Sequence, residues 1–117
     1  MFDVHGKVWG RTAHIFAGCN VEVHRIEVEP GGFCSKHRHR AKANLFFVES
    51  GELTVRIWRQ GGGRIDETVL RRWQSCTVEP GVFHQFAAAE DTVAFEIYWV
   101  ELDPGDILRE TPGGMKP

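Results

Sequence analysis

Two histidines separated by one residue, His37 and His39, and a third, His84, just after Pro80-Gly81, are the residues whose type and spacing point most directly to chemistry. Positions i and i+2 of an extended chain project to the same side, so the imidazoles of His37 and His39 can reach one ion. His84 follows a tight turn and begins a separate apolar run, and in an antiparallel barrel it can stand opposite the first pair. Three neutral imidazole nitrogens hold a first-row divalent ion while leaving positions open to water or substrate. On spacing alone the plain alternative stands beside this one: an H-x-H pair arises by chance, and three of six histidines could be surface residues.

Other residues near these positions read as support. Phe46 and Phe86 share the inward face with Asn44 and His84 if their strands are regular, which gives an ion an apolar surround. His24 reads as a wall residue, and His5 and His14 as lying outside the site. Cys34, three residues before His37, would favour a soft metal if it turned inward; it reads as an inert small residue. Trp58, Trp73 and Trp99 read as packing or interface aromatics.

The elements that must position these groups are strands. Segments 20–29, 44–49, 52–58, 65–70, 76–78 and 92–100 are rich in Val, Ile, Phe and Trp, and several alternate apolar with polar residues. Turn signals separate them: Pro30-Gly31-Gly32, Ser50-Gly51, the triplet Gly61-Gly62-Gly63 as a hairpin tip, and Pro80-Gly81. Helical periodicity is nearly absent; residues 106–110 could make one turn beyond Pro104, and residues 111–117 read as a loose tail. The expectation is one all-β domain over residues 1–117 with an antiparallel barrel over about 18–102; the segment up to about Ala17 is assigned no conformation.

Composition narrows the partners. A chain of 117 residues has room for one domain and buries roughly two thirds of its unfolded surface. Apolar runs at 46–48 and 93–100 are broken by Glu49 and Glu96, so no membrane span is expected, and no secretory signal is visible at the start, which makes the cytoplasm the default. Three widely spaced cysteines, Cys19, Cys34 and Cys76, argue against a disulfide framework. A net charge of −2 with no basic stripe argues against nucleic acid.

The frame around the histidines resembles the cupin superfamily. Gly31, five residues, His37-x-His39, four residues, Asn44, six residues and Gly51 reproduce the first cupin motif, with Asn44 where the motif has Glu. Residues 79–84, Glu-Pro-Gly-Val-Phe-His, resemble the second motif, with Glu79 in place of its first Pro and Trp73 in place of the Gly six residues earlier. The resemblance implies a jelly-roll (double-stranded β-helix) barrel and one divalent ion, Zn, Mn, Fe, Ni or Co, held by His37, His39 and His84, with Asn44 as a weak ligand or as a hydrogen-bonding neighbour of one. An amide offers only a neutral oxygen, so the ion would keep more of its charge, and proton transfer would need another group.

Val8-Trp9-Gly10-Arg11 and Asp106-Ile107-Leu108-Arg109 are similar to the opening and closing segments of the cupin domain of type II mannose-6-phosphate isomerases. That similarity implies a small-molecule ligand of carbohydrate type and a metal-dependent sugar isomerase or epimerase. The alternatives are a three-His Fe(II) dioxygenase and a non-catalytic sugar-binding or sensor module. A homodimer is also implied, and Leu45 and Phe47, on the face opposite Asn44 and Phe46, give it a local motive.

Overall fold

The computed structural model describes residues 3–61 and 63–117; Met1, Phe2 and Gly62, the centre of the expected hairpin tip, lie outside the described residues. Among the described residues nine strands follow in chain order: β1 (Asp3–Lys7), β2 (Gly10–Gly18), β3 (Val21–Val28), β4 (Lys42–Ser50), β5 (Leu53–Trp58), β6 (Ile65–Leu70), β7 (Ser75–Val78), β8 (Phe83–Ala87) and β9 (Thr92–Val100). One sheet has the order β1-β2-β3-β9-β4-β7 and the other β6-β5-β8, with antiparallel pairing throughout. This is the all-β antiparallel architecture that the alternation and turn spacing imply, in the jelly-roll form that the motif resemblance implies. Among the described residues there is no helix, and none is long and apolar enough to cross a membrane.

Period-two alternation decides what meets between the sheets. In β4 Asn44, Phe46 and Val48 are buried while Leu45 and Phe47 are half-buried on the other face; in β5 Leu53, Val55 and Ile57 point inward. With Ile26, Val28 and Phe86 these apolar side chains form one core, each contributing about 1.5–3 kcal/mol by leaving water.

Two turns carry conformational constraints. Gly51, the last residue of the first motif, has φ 84°, and a Cβ there would stand 2.4 Å from the Asp91 carbonyl oxygen, so glycine is required. Trp73 adopts φ 67°, a region costly for a bulky residue. Its N–H donates to the Val48 carbonyl at 2.6 Å, and its indole lies in solvent beneath the Arg72 guanidinium, 4.3 Å away. The backbone thus holds the shape that a glycine would take freely, at the position where the second motif has one.

The structure corrects three expectations. The segment up to Ala17, given no conformation from the sequence, forms β1 and β2 over residues 3–7 and 10–18, so the sheet begins ahead of residue 18; weak apolar alternation hid these strands, which are held by ladder bonding, β2 to β3 and β1 to β2, with Thr12 the one buried side chain among them. Residues 83–87 form a strand of their own, β8. No helical turn forms over residues 106–110: the bonds from Asp106 N–H to Asp103 and from Ile107 N–H to Gly105 close a turn around Pro104, and residues 101–117 are exposed, so no surface rewards a helix.

Candidate metal centre

A backbone pair places the first and last histidines of the set. Residues 31–39 run antiparallel to β8: Gly31 N–H donates to the Ala88 carbonyl (2.8 Å) and Cys34 N–H to that of Phe86 (3.1 Å). His37 and His84 then exchange both of their N–H···O=C bonds, at 3.1 and 2.8 Å, which sets their side chains on the same face. Gly81 N–H, in the turn before β8, donates to the His39 carbonyl at 2.7 Å and fixes the third residue.

A slip in this ladder matters to the site. Phe33 pairs with Ala87 and His37 with His84, so the segment advances by four residues while β8 advances by three. The extra residue acts as a bulge. Without it Cys34 and His37, an odd number of residues apart, would face opposite sides; with it both turn toward the interior.

The three imidazoles converge. Their potential ligand atoms all lie within 4.8 Å of one another, and the ring centroids are 5.0 Å apart for His37 and His39, 4.6 Å for His37 and His84, and 5.4 Å for His39 and His84. His84 Nδ1 bonds the Val82 carbonyl at 2.9 Å and His37 Nδ1 the Ser35 carbonyl at 2.8 Å. A carbonyl can only accept, so both Nδ1 atoms carry the proton and both Nε2 atoms present a lone pair. His39 Nε2, His84 Nε2 and both amide atoms of Asn44 are buried with no hydrogen-bond partner. Such groups each cost about 1–3 kcal/mol when left unmatched, and the two ring nitrogens and the Asn44 oxygen, each with a lone pair to give, fit a cation there. Burial pulls the His39 imidazole down to about 4, with further help from the charges of His37, Lys42 and His84. It pulls His84 down as well, against the bond to Val82. Both rings are thereby kept in the neutral form that ligates metals.

Glu96 and Tyr98 belong to this centre and were not among the expected residues. Glu96, in β9, lies directly across from His24 of β3 and Phe46 of β4, and Tyr98 lies across from Asn44. The Glu96 side chain is buried and accepts a short hydrogen bond from the Tyr98 hydroxyl. Burial pushes its carboxyl up from the ordinary range, against the Tyr98 bond, the imidazoles of His24 and His37 and the nearby Asn44 amide. Burial and the adjoining Glu96 push the Tyr98 hydroxyl up in turn. The signal was present in the sequence: Thr92, Ala94 and Glu96 share one parity, so the charge that interrupts the apolar run points where the core residues point.

A cavity of about 260 Å³ opens beside the cluster, walled by Trp9, His14, His24, His37, Phe86 and Glu96 among others. His24 is a wall residue, its Nε2 bonded to Glu22 at 3.1 Å, and Phe46 and Phe86 are buried beside the cluster as expected. His14 is a correction, since it lines the cavity rather than lying outside it; β2 carries it there because the N-terminal segment joins the sheet. Cys34 is buried, its sulfur accepting the Phe86 N–H at 3.2 Å, and burial pushes the thiol up to about 11. A larger hollow of about 450 Å³, between Gly10, Glu27, Ser50 and Asp91, is lined by none of the histidines.

The depressed imidazoles have a consequence for the metal-free protein. The unfolded chain protonates His39 near 6.5 and the folded chain only near 4, so between these values the unfolded form binds more protons and stability falls as pH drops. Urea midpoints of metal-free protein should decline from pH 6.5 toward pH 4, and His39→Gln should decline less steeply. An identical slope in the variant would contradict the assignment.

A family profile for the cupin domain matches residues 24–101, two thirds of the chain. No curated protein sequence matches it. Among solved structures, KdgF from Halomonas sp. is similar at 14% identity and TM-score 0.73, over 86% of this chain and 88% of that one. CapF, the capsular polysaccharide assembling protein of Staphylococcus aureus, is similar at 21% identity and TM-score 0.74, over 91% of this chain but only 31% of that one. An oxalate oxidase in complex with glycolate is similar at 25% identity and TM-score 0.59, over 68% of this chain and 40% of that one. The first two likenesses concern the fold alone. The matched stretch contains His37, His39, Asn44, His84 and Glu96 together with β4 to β9 and most of β3, and the chain belongs to the cupin domain family.

Proposed function

We propose that His37, His39 and His84 hold one divalent ion and that this cupin is a metal-dependent isomerase or epimerase of a small sugar or sugar derivative. The observation that carries the reading is the meeting of three imidazoles, two of them with buried, unpartnered Nε2 atoms, with a buried carboxylate beside them. Bound Zn, Mn, Fe, Ni or Co would supply Lewis-acid polarisation of a substrate carbonyl. Asn44 can add only a neutral amide oxygen. Glu96 supplies the carboxylate that position 44 lacks and can take a proton and return it, while the Tyr98 hydroxyl holds it in place. Phe46 and Phe86 exclude water from the inner end. The mouth, with Trp9, His14 and His24, offers an aromatic face and ring nitrogens suited to hydroxyl groups. At about 260 Å³ the cavity falls below the roughly 300–1,000 Å³ of drug-sized sites, which suits a small, oxygen-rich ligand. The resemblance of the chain ends to type II mannose-6-phosphate isomerases supports the sugar class. The all-imidazole set also suits an Fe(II) dioxygenase, and oxygen uptake separates the two.

Metal content tests the ligand set. His37→Ala and His84→Ala should weaken binding by more than the roughly 10–100-fold that loss of an outer partner costs, and Asn44→Ala by less. Asn44→Glu should tighten it. Equal retention in all of these variants would place the ion elsewhere.

Proton exchange tests the chemistry. The metal-loaded protein should exchange a carbon-bound proton of a small aldose or ketose with D2O, read by NMR over a panel of free and phosphorylated sugars. Glu96→Gln should slow that exchange on the order of 100-fold or more at unchanged metal content. Full exchange in the variant would remove Glu96 from the reaction. If no sugar exchanges and the Fe(II) form consumes oxygen with a thiol or diketone, the dioxygenase reading replaces this one; silence in both leaves a binding module.

A homodimer is part of the same proposal. Leu45, Phe47, Phe95 and Ile97 pair across β4 and β9 on the outer face of the large sheet, with Val23 beside them, and no element of this chain packs over them among the described residues. A second copy would bury that face. Light scattering should give twice the mass of one chain for the wild type and a single mass for Phe47→Glu; a monomeric wild type would contradict it.

A further inference from the structure

We infer that Asp3, His5 and His14 form a second binding site, distinct from the three-His cluster, for a borderline divalent cation such as Zn2+, Ni2+ or Cu2+. The register of the β1–β2 hairpin assembles it. Asp3 pairs directly with His14, and His5, two residues beyond Asp3, falls on the same sheet face. The Asp3 carboxylate lies between the two rings: its Oδ2 is 2.9 Å from His5 Nε2 and 4.0 Å from His14 Nδ1, and the ring centroids are 4.9 Å apart. One donor atom from each residue falls within a 4.8 Å set.

Two imidazoles and one carboxylate make the mixed nitrogen and oxygen set that binds zinc, nickel and copper, with remaining positions left to water. Around one zinc with bonds of 2.0–2.1 Å, ligand atoms stand roughly 3.3 Å apart. The side chains of Asp3, His5 and His14 are 70%, 49% and 45% exposed, so small rotations free of core packing can close the difference. Among the described residues Asp3 has no Lys or Arg partner, and the two imidazoles are its ion-pair partners. His24 lies 4.3 Å from the His14 ring, but its Nε2 is engaged by Glu22, which leaves it outside the triad.

The two sites stand at opposite ends of a file of rings that runs from His14 through His24 and Tyr98 to His39, with centroid steps of 4.3, 5.5 and 5.2 Å. They share no ligand. The second site also has a mechanical consequence. Every residue of β1 is exposed, and the strand pairs with β2 alone, so no core side chain anchors it. An ion shared by Asp3, His5 and His14 ties this edge strand to its neighbour, and with it Lys7, which lines the cavity.

Zinc titration of untagged protein by calorimetry and metal analysis tests the inference. Wild type should bind two equivalents, the second more weakly. His5→Gln and Asp3→Asn, both at exposed positions that leave the core intact, should lose the second equivalent or weaken it at least 10-fold while keeping the first. His84→Ala should keep the equivalent that His5→Gln removes, so failure of the three-His site and failure of this one are read separately. Hydrogen exchange of the β1 amides should slow when zinc is added to His84→Ala, and should not respond in a variant that also carries His5→Gln. A second equivalent that survives both Asp3→Asn and His5→Gln, or zinc uptake abolished entirely by His84→Ala, would overturn the inference.

Discussion

The two hydrogen bonds exchanged by His37 and His84 are the constraint on which the centre depends. They join the segment before β4 to β8 across 47 residues of chain, and the same ladder, from Gly31–Ala88 to His39–Gly81, holds the two motif segments side by side. Because a pair that exchanges both bonds shows its side chains on one face, fixing the backbone fixes the imidazoles. The ring orientations follow from local acceptors, the Ser35 carbonyl with its hydroxyl beside it for His37 and the Val82 carbonyl for His84, and the carbonyls hold the proton on Nδ1. A site assembled by backbone in this way exists before any ligand arrives, and its unmatched nitrogens count against stability until one does. A ligand that binds only the folded chain adds RT ln(1 + [L]/Kd) to stability, so occupancy and folding are linked here.

The charge arrangement follows from the same pairing. At position 44, deep in β4, the chain places an amide. The buried carboxylate stands on the adjoining strand, where Glu96 lies two pairs along from the Asn44–Tyr98 pair, on the same face, and receives the Tyr98 hydroxyl. Two roles that one glutamate could combine, neutralising an ion and moving a proton, are thus separable in this molecule. The imidazoles face the ion on the proposed reading, and the carboxylate faces the cavity that the substrate would fill.

Much of this was legible in the sequence. The i and i+2 histidines, the turn before His84 and the parity of Asn44 with Phe46 are local features, and local features survive folding. Six strands fell where alternation placed them. What was hidden depended on partners distant in the chain. The burial of Glu96 is fixed by β3 and β4 on either side of β9; within its own strand the parity it shares with Thr92 and Ala94 was visible, but which of the two faces is the inner one was not. The place of His14 depended on whether residues 10–18 would join the sheet, which ladder bonding to β3 decides. The bulge between Phe33 and His37 reverses the parity that Cys34 would suggest, and no turn residue marks it. Residues 106–110 had room for one helical turn beyond Pro104 but have nothing to pack against.

The central claim is that His37, His39 and His84 hold a single divalent ion between them. Anomalous diffraction from crystals of the zinc- or manganese-loaded protein, collected on either side of the metal edge, tests it most directly. The account predicts one peak within about 2.0–2.2 Å of a nitrogen of each of the three imidazoles, beside Asn44 and free of Cys34. A fully loaded protein with no peak among those three rings would contradict it.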